Sequence, residues 1–116
     1  MTTRQQLATV CSQMRIITPR RLREFWGIHP QAEKPLRGWM RVARRARWRS
    51  LADVRRDFPH ADVTDDTRSG RTVTIFNIGG NKYRLATAID YPLQVVNVLQ
   101  VMTHVEYDKE KWKRTL

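Results

Sequence analysis

The sequence predicts an α+β domain in which an N-terminal strand and two to three helices pack on an antiparallel sheet. Three observations carry that prediction. Apolar residues recur at spacings of three and four as far as Phe58, and at spacings of two from Val73 onward. Gly79-Gly80-Asn81 stands between two of the alternating runs, and glycines supply the positive φ that a tight hairpin turn needs. A chain of 116 residues has room for one core and little more, so a single domain is expected over residues 14–116.

The elements follow in order. Residues 1–13 are polar and without pattern, and are read as an N-terminal extension and a candidate for disorder. Arg15-Ile16-Ile17 is a short strand, closed by Thr18 as an N-cap with Pro19 at the first helical position, where its missing N–H costs nothing. Leu22, Phe25 and Trp26 form one buried stripe, which residues 27–30 end. A second helix opens near Pro35, with Leu36, Trp39, Met40, Ala43 and Ala46 on its apolar face and Arg37, Arg41, Arg44, Arg45 and Arg47 on the other. Ser50 followed by Asp53 resembles a capping box with the shorter acid. It would open a brief helix through Leu51, Val54 and Phe58 that Pro59 stops. Residues 60–71, with Asp65, Asp66, Ser69 and Gly70, are expected to form a mobile turn or an exposed hairpin tip. Strands over 73–78 and 82–89 flank the glycine turn, and Asp90-Tyr91-Pro92 closes the second. The near-continuous apolar run 95–102 is a third strand, covered on both faces.

Lysine and arginine number 22 against 11 acidic residues, a formal charge of +11. Such an excess asks for an anionic partner. Nucleic acid leads, because no segment approaches the roughly 18 consecutive apolar residues of a membrane span; an anionic membrane surface ranks behind it. Cys11 is the only cysteine, which excludes an intramolecular disulfide and a zinc site on paired cysteines. His29 and His60 have no metal-ligand spacing, and phosphate-loop and dinucleotide glycine fingerprints are absent, so neither metal nor cofactor is expected. Residues 7–11 are too short and interrupted a run for a signal-peptide core, and the cytoplasm is the expected compartment.

Two segments carry the chemistry. Along the second strand of the hairpin, alternation puts Tyr83, Leu85, Thr87 and Ile89 on one face and Lys82, Arg84, Ala86 and Ala88 on the other. The second face reads either as a shallow groove, two cations beside two alanines, able to admit a phosphate, or as an ordinary solvated sheet face. Thr103-His104-Val105-Glu106-Tyr107-Asp108 follows the last strand. Imidazole can take a proton from a nucleophile and return one to a leaving group near neutral pH. In RNA the ribose 2′-hydroxyl can attack its own phosphate without a metal, given a base, an acid and a cation for the developing charge. His104, Tyr107 or Glu106, and Arg84 would fill those roles if the strands lie side by side. The plainer reading is a turn histidine, with Glu106 and Asp108 in capping or surface pairing.

The arginine row over residues 37–49 is a phosphate-tracking face or a solvated helix face. Trp39 falls on the apolar stripe and reads as core. Trp48 and Trp112 fall outside clear stripes and are candidates for stacking on a base or a partner protein. Arg55, Arg56 and the basic tail with Lys109, Lys111, Lys113 and Arg114 are expected to contact RNA, the tail as an electrostatic arm whose effect falls with salt.

Taken together, Arg15-Ile16-Ile17, Leu22-Arg23-Glu24-Phe25-Trp26, Asp57-Phe58-Pro59, the stretch from Phe76 through Gly79-Gly80-Asn81-Lys82-Tyr83-Arg84 to Leu85, and Thr103 through Asp108 resemble the HigB-type toxins of bacterial type II toxin–antitoxin systems. These belong to the wider superfamily of RelE-like and ParE-like folds. The resemblance runs from about Met14, where such toxins usually begin, to the C-terminus. It implies a RelE-like fold, with N-terminal helices on a curved antiparallel sheet. It further implies a ribosome-dependent endoribonuclease that cuts messenger RNA without metal and blocks translation. A helix-turn-helix antitoxin of HigA type would neutralise it, and DNA would be met only through that antitoxin. Carried over by motif, Arg84 stabilises the phosphate, His104 is the acid/base residue, and Lys82 and Tyr107 support them. One departure stands out: the family's strand commonly carries a tyrosine and, two positions later, an arginine, where this chain has Asn97 and Leu99. That leaves open a weakly active or inactive module of the same fold that binds RNA or antitoxin, and a gyrase inhibitor of the ParE-like branch.

Overall fold

Five strands join in one sheet, and their order decides which side chains meet. The computed structural model describes residues 13–116; the expected extension over 1–13, Cys11 included, lies outside them except for Gln13. The elements are β1 (Arg15–Ile17), α1 (Arg20–Ile28), a 3₁₀ turn (Pro30–Ala32), α2 (Glu33–Arg45), α3 (Leu51–Asp57), β2 (Asp62–Thr64), β3 (Val73–Ile78), β4 (Tyr83–Asp90), β5 (Val95–Thr103), α4 (His104–Asp108) and a second 3₁₀ turn (Lys111–Arg114). The sheet order is β1-β5-β4-β3-β2. β1 lies parallel to β5, while the other neighbours are antiparallel. The α+β class therefore holds, with a mixed sheet where a wholly antiparallel one was expected.

The helices cover one face of the sheet. Leu36, Trp39, Met40 and Ala43 of α2 are buried at helical spacing, and they share a core with Leu22, Trp48, Val54, Phe76, Ile78, Leu85, Val96 and Val98. Phe76 sits at the centre of an aromatic group, stacked on Trp48 at 5.9 Å and edge-on to Phe58 at 5.2 Å. Each such pair adds roughly 0.5–1.5 kcal/mol beyond the area it buries. Trp48 is thus a core residue rather than a stacking platform. Helical periodicity stops at Arg45, and the extended backbone at Ala46 turns Trp48 inward, where its indole N–H donates to Asp57 Oδ2 at 2.9 Å.

Three local expectations give way. Thr18 does not cap α1: its φ of +65° is left-handed, an unfavourable conformation for a β-branched residue. Its hydroxyl points to Asn97 Oδ1 at 3.4 Å instead. Ser50 makes no side-chain cap on α3, and the box does not form: Asp53 Oδ2 accepts from the N–H of Arg49, one residue before the cap, at 2.9 Å. The segment 60–71 is not only a turn, since it contains β2, which pairs with β3 as an edge strand.

The opposite face of the sheet is covered as well, and this overturns the expected groove. β5 carries a bulge: Ala86 pairs with Gln100 and Thr87 with Val98, leaving Leu99 as the extra residue. Beyond it the alternation shifts, so Val96, Val98 and Val101 all join the helix-side core while Leu99 and Met102 face away. Leu99 and Met102 form a second cluster with Val73, Ile75, Ala86 and Trp112. Ala86 is fully buried and floors no groove. The basic tail is not an arm either, because it folds back onto the sheet. The Arg68 N–H donates to the Lys113 carbonyl at 2.8 Å, and Ser69 Oγ donates to the Leu116 carbonyl at 2.6 Å.

Candidate active site

The β3–β4 hairpin aligns Ile78 with Tyr83, and the loop 79–82 between them needs two left-handed residues in a row. Gly79 and Gly80, at φ +63° and +69°, supply them. Lys82 belongs to this loop rather than to the strand, and it is exposed. On the other side, β5 pairs Tyr83 with Thr103 and Arg84 with Met102. The chain then turns directly into α4, and the His104 N–H donates to the Lys82 carbonyl at 2.9 Å. Segments far apart in sequence are thus fastened side by side at one end of the sheet.

Arg84 is buried, with 8% of its surface exposed. Its Nη1 donates to the carbonyls of Asn81 and Tyr83 at 3.3 and 3.2 Å, and Nη2 donates to Asn81 Oδ1 at 3.3 Å. Its guanidinium carbon stands 5.2 Å from the centre of the Tyr107 ring. Among the described residues no carboxylate pairs with it. The buried cation is thus met by carbonyls, an amide oxygen and a ring rather than by a counter-charge, and a guanidinium is suited to take an anion. Tyr107 in turn stacks on Trp112 at 5.5 Å and 11°, and the Trp112 indole donates to the Tyr107 carbonyl at 3.1 Å. The second core therefore fixes the ring under the guanidinium. A cavity of about 460 Å³ lined by His60, Asn77, Gly80 and Asn81 adjoins the group, Asn77 being the cross-strand partner of Arg84.

His104 is half-exposed, and its Nε2 lies 3.1 Å from Asp108 Oδ2, one helical turn on. That carboxylate holds the orientation of the ring. Glu106 is occupied otherwise. Thr103 and Glu106 form a reciprocal capping box, with Oε1 accepting from the Thr103 N–H at 2.9 Å and Thr103 Oγ1 accepting from the Glu106 N–H at 3.2 Å.

The backbones that carry Lys82, Arg84 and His104 meet at one end of the sheet, and Arg84 and Tyr107 are in contact, while Glu106 shares the helix of His104 and Tyr107 with its carboxylate committed to the cap. The expected RNA-contacting residues divide. Arg55 donates to the Ala61 carbonyl at 2.9 Å and lies 3.6 Å from Asp62, and Arg56 pairs with Asp53 at 2.7 Å. Both stand on α3, which packs through Val54 into the core on the helix side, away from Tyr107 and Trp112. Lys113 is tied to Glu110 and Asp66 at 3.1 and 3.3 Å; those carboxylates, Glu110 first, raise its pKa above the ordinary lysine value. Lys109 and Lys111 remain exposed beside α4. Sequence reasoning missed Asp108 and Asn81 as partners of the two central residues. The four-residue spacing from His104 to Asp108 was the available signal for the first; the second depends on loop geometry and leaves none.

Of the two departures, Asn97 lies away from this cluster, whereas Leu99 lies in the core against which Tyr107 packs. Asn97 pairs with Ala88 far along β4. The Leu99 side chain is in the second core, while its carbonyl accepts from the Arg21 guanidinium of α1. Among the described residues, no three His, Cys, Asp or Glu side chains gather as metal ligands, and no helix is long and apolar enough to cross a membrane.

The class so defined is a small, strongly basic α+β protein of RelE-like architecture, with helices on one sheet face and a cation–imidazole group at the end of β4 and β5. A family model described as HigB_toxin, the RelE-like toxic component of a toxin–antitoxin system, matches residues 32–110. The chain belongs to that family and is a toxin of a toxin–antitoxin system, with an antitoxin as its partner. The matched span takes in Arg84, His104 and Tyr107 and leaves out β1 and α1. No curated protein matches the chain.

Proposed function

We infer that this toxin is an endoribonuclease that cuts messenger RNA on the ribosome and so stops translation. The observation that carries the reading is the buried Arg84 guanidinium, without a carboxylate partner among the described residues and on a strand fastened to the His104 segment. The phosphate of the scissile bond takes the place that no carboxylate fills, with Lys82 adding charge from the loop. His104 accepts the proton of the ribose 2′-hydroxyl as that oxygen attacks the adjacent phosphorus. The bond to the 5′-oxygen breaks, the leaving oxygen takes up a proton, and the products are a 2′,3′-cyclic phosphate and a 5′-hydroxyl. Arg84 stabilises the charge that grows on the phosphoryl oxygens, Asp108 orients the imidazole, and Tyr107 supports the guanidinium. Neither metal nor cofactor enters these steps. Antitoxin of helix-turn-helix type, ribosome and mRNA are the partners this reading names, and the cytoplasm is its compartment.

Induced expression of the chain should arrest growth and protein synthesis, and Arg84→Ala or His104→Gln should relieve the arrest. Full toxicity in both variants would remove these residues from the site. DNA-damage signalling without loss of mRNA would point instead to gyrase.

A further inference from the structure

The cleavage steps leave one role unfilled, the donor of the proton that the departing 5′-oxygen takes up. Few groups near Arg84 are free to fill it. Glu106 is committed to its cap, and the Tyr107 ring packs on the Arg84 guanidinium and the Trp112 indole. Lys82 carries an ammonium, which as a class parts with its proton less readily than an imidazolium. Of the two histidines besides His104, His29 is used in packing, with its ring stacked on Phe25 at 4.4 Å and 6.0 Å from Tyr83 on the helix side.

His60 is placed differently. It is exposed in the turn between α3 and β2, and its side chain makes no hydrogen bond or ion pair among the described residues. The charged groups of its own segment are engaged elsewhere: Arg55 with the Ala61 carbonyl and Asp62, and Asp57 with the Trp48 indole. β2 pairs Asp62 with Ile75, and two residues further back the same register brings His60 beside Asn77. His60 and Asn77 line one cavity together with Asn81, the residue whose carbonyl and Oδ1 hold the Arg84 guanidinium. Asn77 pairs with Arg84, and Arg84 with Met102, two residues before His104. Arg84 therefore stands between the two histidines along one row across the sheet, about two strand spacings, or roughly 10 Å, from the His60 backbone.

We propose that His60 is the general acid of this site. The proposal rests on the reading that the toxin cuts RNA. Attacking and leaving oxygens lie roughly in line on opposite sides of a phosphorus undergoing displacement, so a base on one side of the phosphate calls for an acid on the other. His104 takes the proton of the 2′-hydroxyl as the bond from that oxygen to phosphorus forms. The bond from phosphorus to the 5′-oxygen breaks, its electron pair stays on the oxygen, and the His60 imidazolium gives that oxygen its proton. His60 ends neutral and His104 charged, and exchange with water restores both. An imidazole suits either role near neutral pH.

The test is single-turnover cutting of a short mRNA on purified ribosomes by the full chain. The mRNA is made in two forms, with oxygen or with sulfur as the bridging 5′-atom at the position the wild type cuts. A thiolate leaves without being protonated, so the sulfur form has no need of an acid. His60→Ala and His60→Gln should cut the oxygen form about 10²-fold or more slower than the wild type, and the sulfur form at the wild-type rate to within a few-fold. Their urea midpoints should match the wild type, because the side chain is exposed. His104→Gln should be slow on both forms, since its base is needed whatever the leaving atom. Full activity of His60→Ala on the oxygen form, or an equal loss on both forms, would overturn the proposal while leaving the cleavage reading in place. No cutting by the wild type, or full activity of His104→Gln, would overturn the cleavage reading itself and the role of His60 with it.

Discussion

On one face of the sheet three helices enclose Trp39, Trp48, Phe58 and Phe76 in a core of aromatic and branched side chains; on the other, a short helix and a 3₁₀ turn lay Trp112 and Tyr107 over Ala86, Leu99 and Met102. Among the described residues, the thick side buries nothing charged. The thin side ends in a guanidinium that is buried yet unpaired, beside a histidine still open to solvent. On the proposed reading, stability should reside mainly where the cover is complete, and chemistry where it is just sufficient to hold Tyr107 and Arg84 in place.

Truncating each face measures that difference. Phe76→Ala should cost about 3–5 kcal/mol, from lost transfer and a cavity the aromatic group cannot fill, read as a fall in urea midpoint. Trp112→Ala should fall at the low end, about 3 kcal/mol, yet remove toxicity, because it frees the ring that supports Arg84. If Trp112→Ala retained full toxicity, the thin face would be structural only.

Arg84→Met sharpens the comparison in the opposite direction. A buried cation without a partner is unfavourable, and an apolar side chain of similar volume should raise stability by about 1 kcal/mol while abolishing toxicity. A loss of stability with toxicity retained would mean that Arg84 is a structural residue. Smaller effects separate the cap from the chemistry. Thr103→Ala should cost about 1 kcal/mol through the capping box, whereas Glu106→Gln, which can still fill the box, should leave toxicity intact. Strong detoxification by Glu106→Gln, with unchanged stability, would return that carboxylate to the acid/base set.

How much of this was legible follows from what periodicity can encode. The α2 stripe, the hairpin and its glycine turn could be read because each rests on local spacing or on φ preference, and all three stand in the structure. The adjacency of Arg84 and His104 was legible only as a condition, since strand pairing is a long-range fact; the Tyr83–Thr103 register supplies it. The fate of Trp48, Trp112 and Ala86 was not legible. Trp48 lies past a helix end where the period breaks, Leu99 shifts the alternation of β5 by one residue, and the tail's cationic composition hides a fold held by Trp112. Thr18, a good capping residue by type, is turned away by a left-handed backbone that no composition rule anticipates.

The smallest expected effect belongs to the thick side's edge. Burial, and then the nearby Asp53 charge, raise the Tyr91 pKa above its usual 10.0. The neutral phenol is thereby favoured in the folded state. Ionising it in the unfolded chain costs the folded state stability once pH passes about 10, and the loss continues until the raised folded value is reached. Urea midpoints between pH 9 and 12 should fall less steeply in Tyr91→Phe; identical pH profiles would contradict that linkage.

The central claim, that Arg84 and His104 form one RNA-cutting site across β4 and β5, is tested most directly by primer extension on cellular mRNA after brief induction of the wild-type, Arg84→Met and His104→Gln chains. The account predicts discrete cuts within translated reading frames for the wild type and their loss, by about 10²-fold or more, in both variants, with the folded chain present in equal amount. Cuts of undiminished intensity in either variant, or translation arrest by the wild type with mRNA intact, would contradict it.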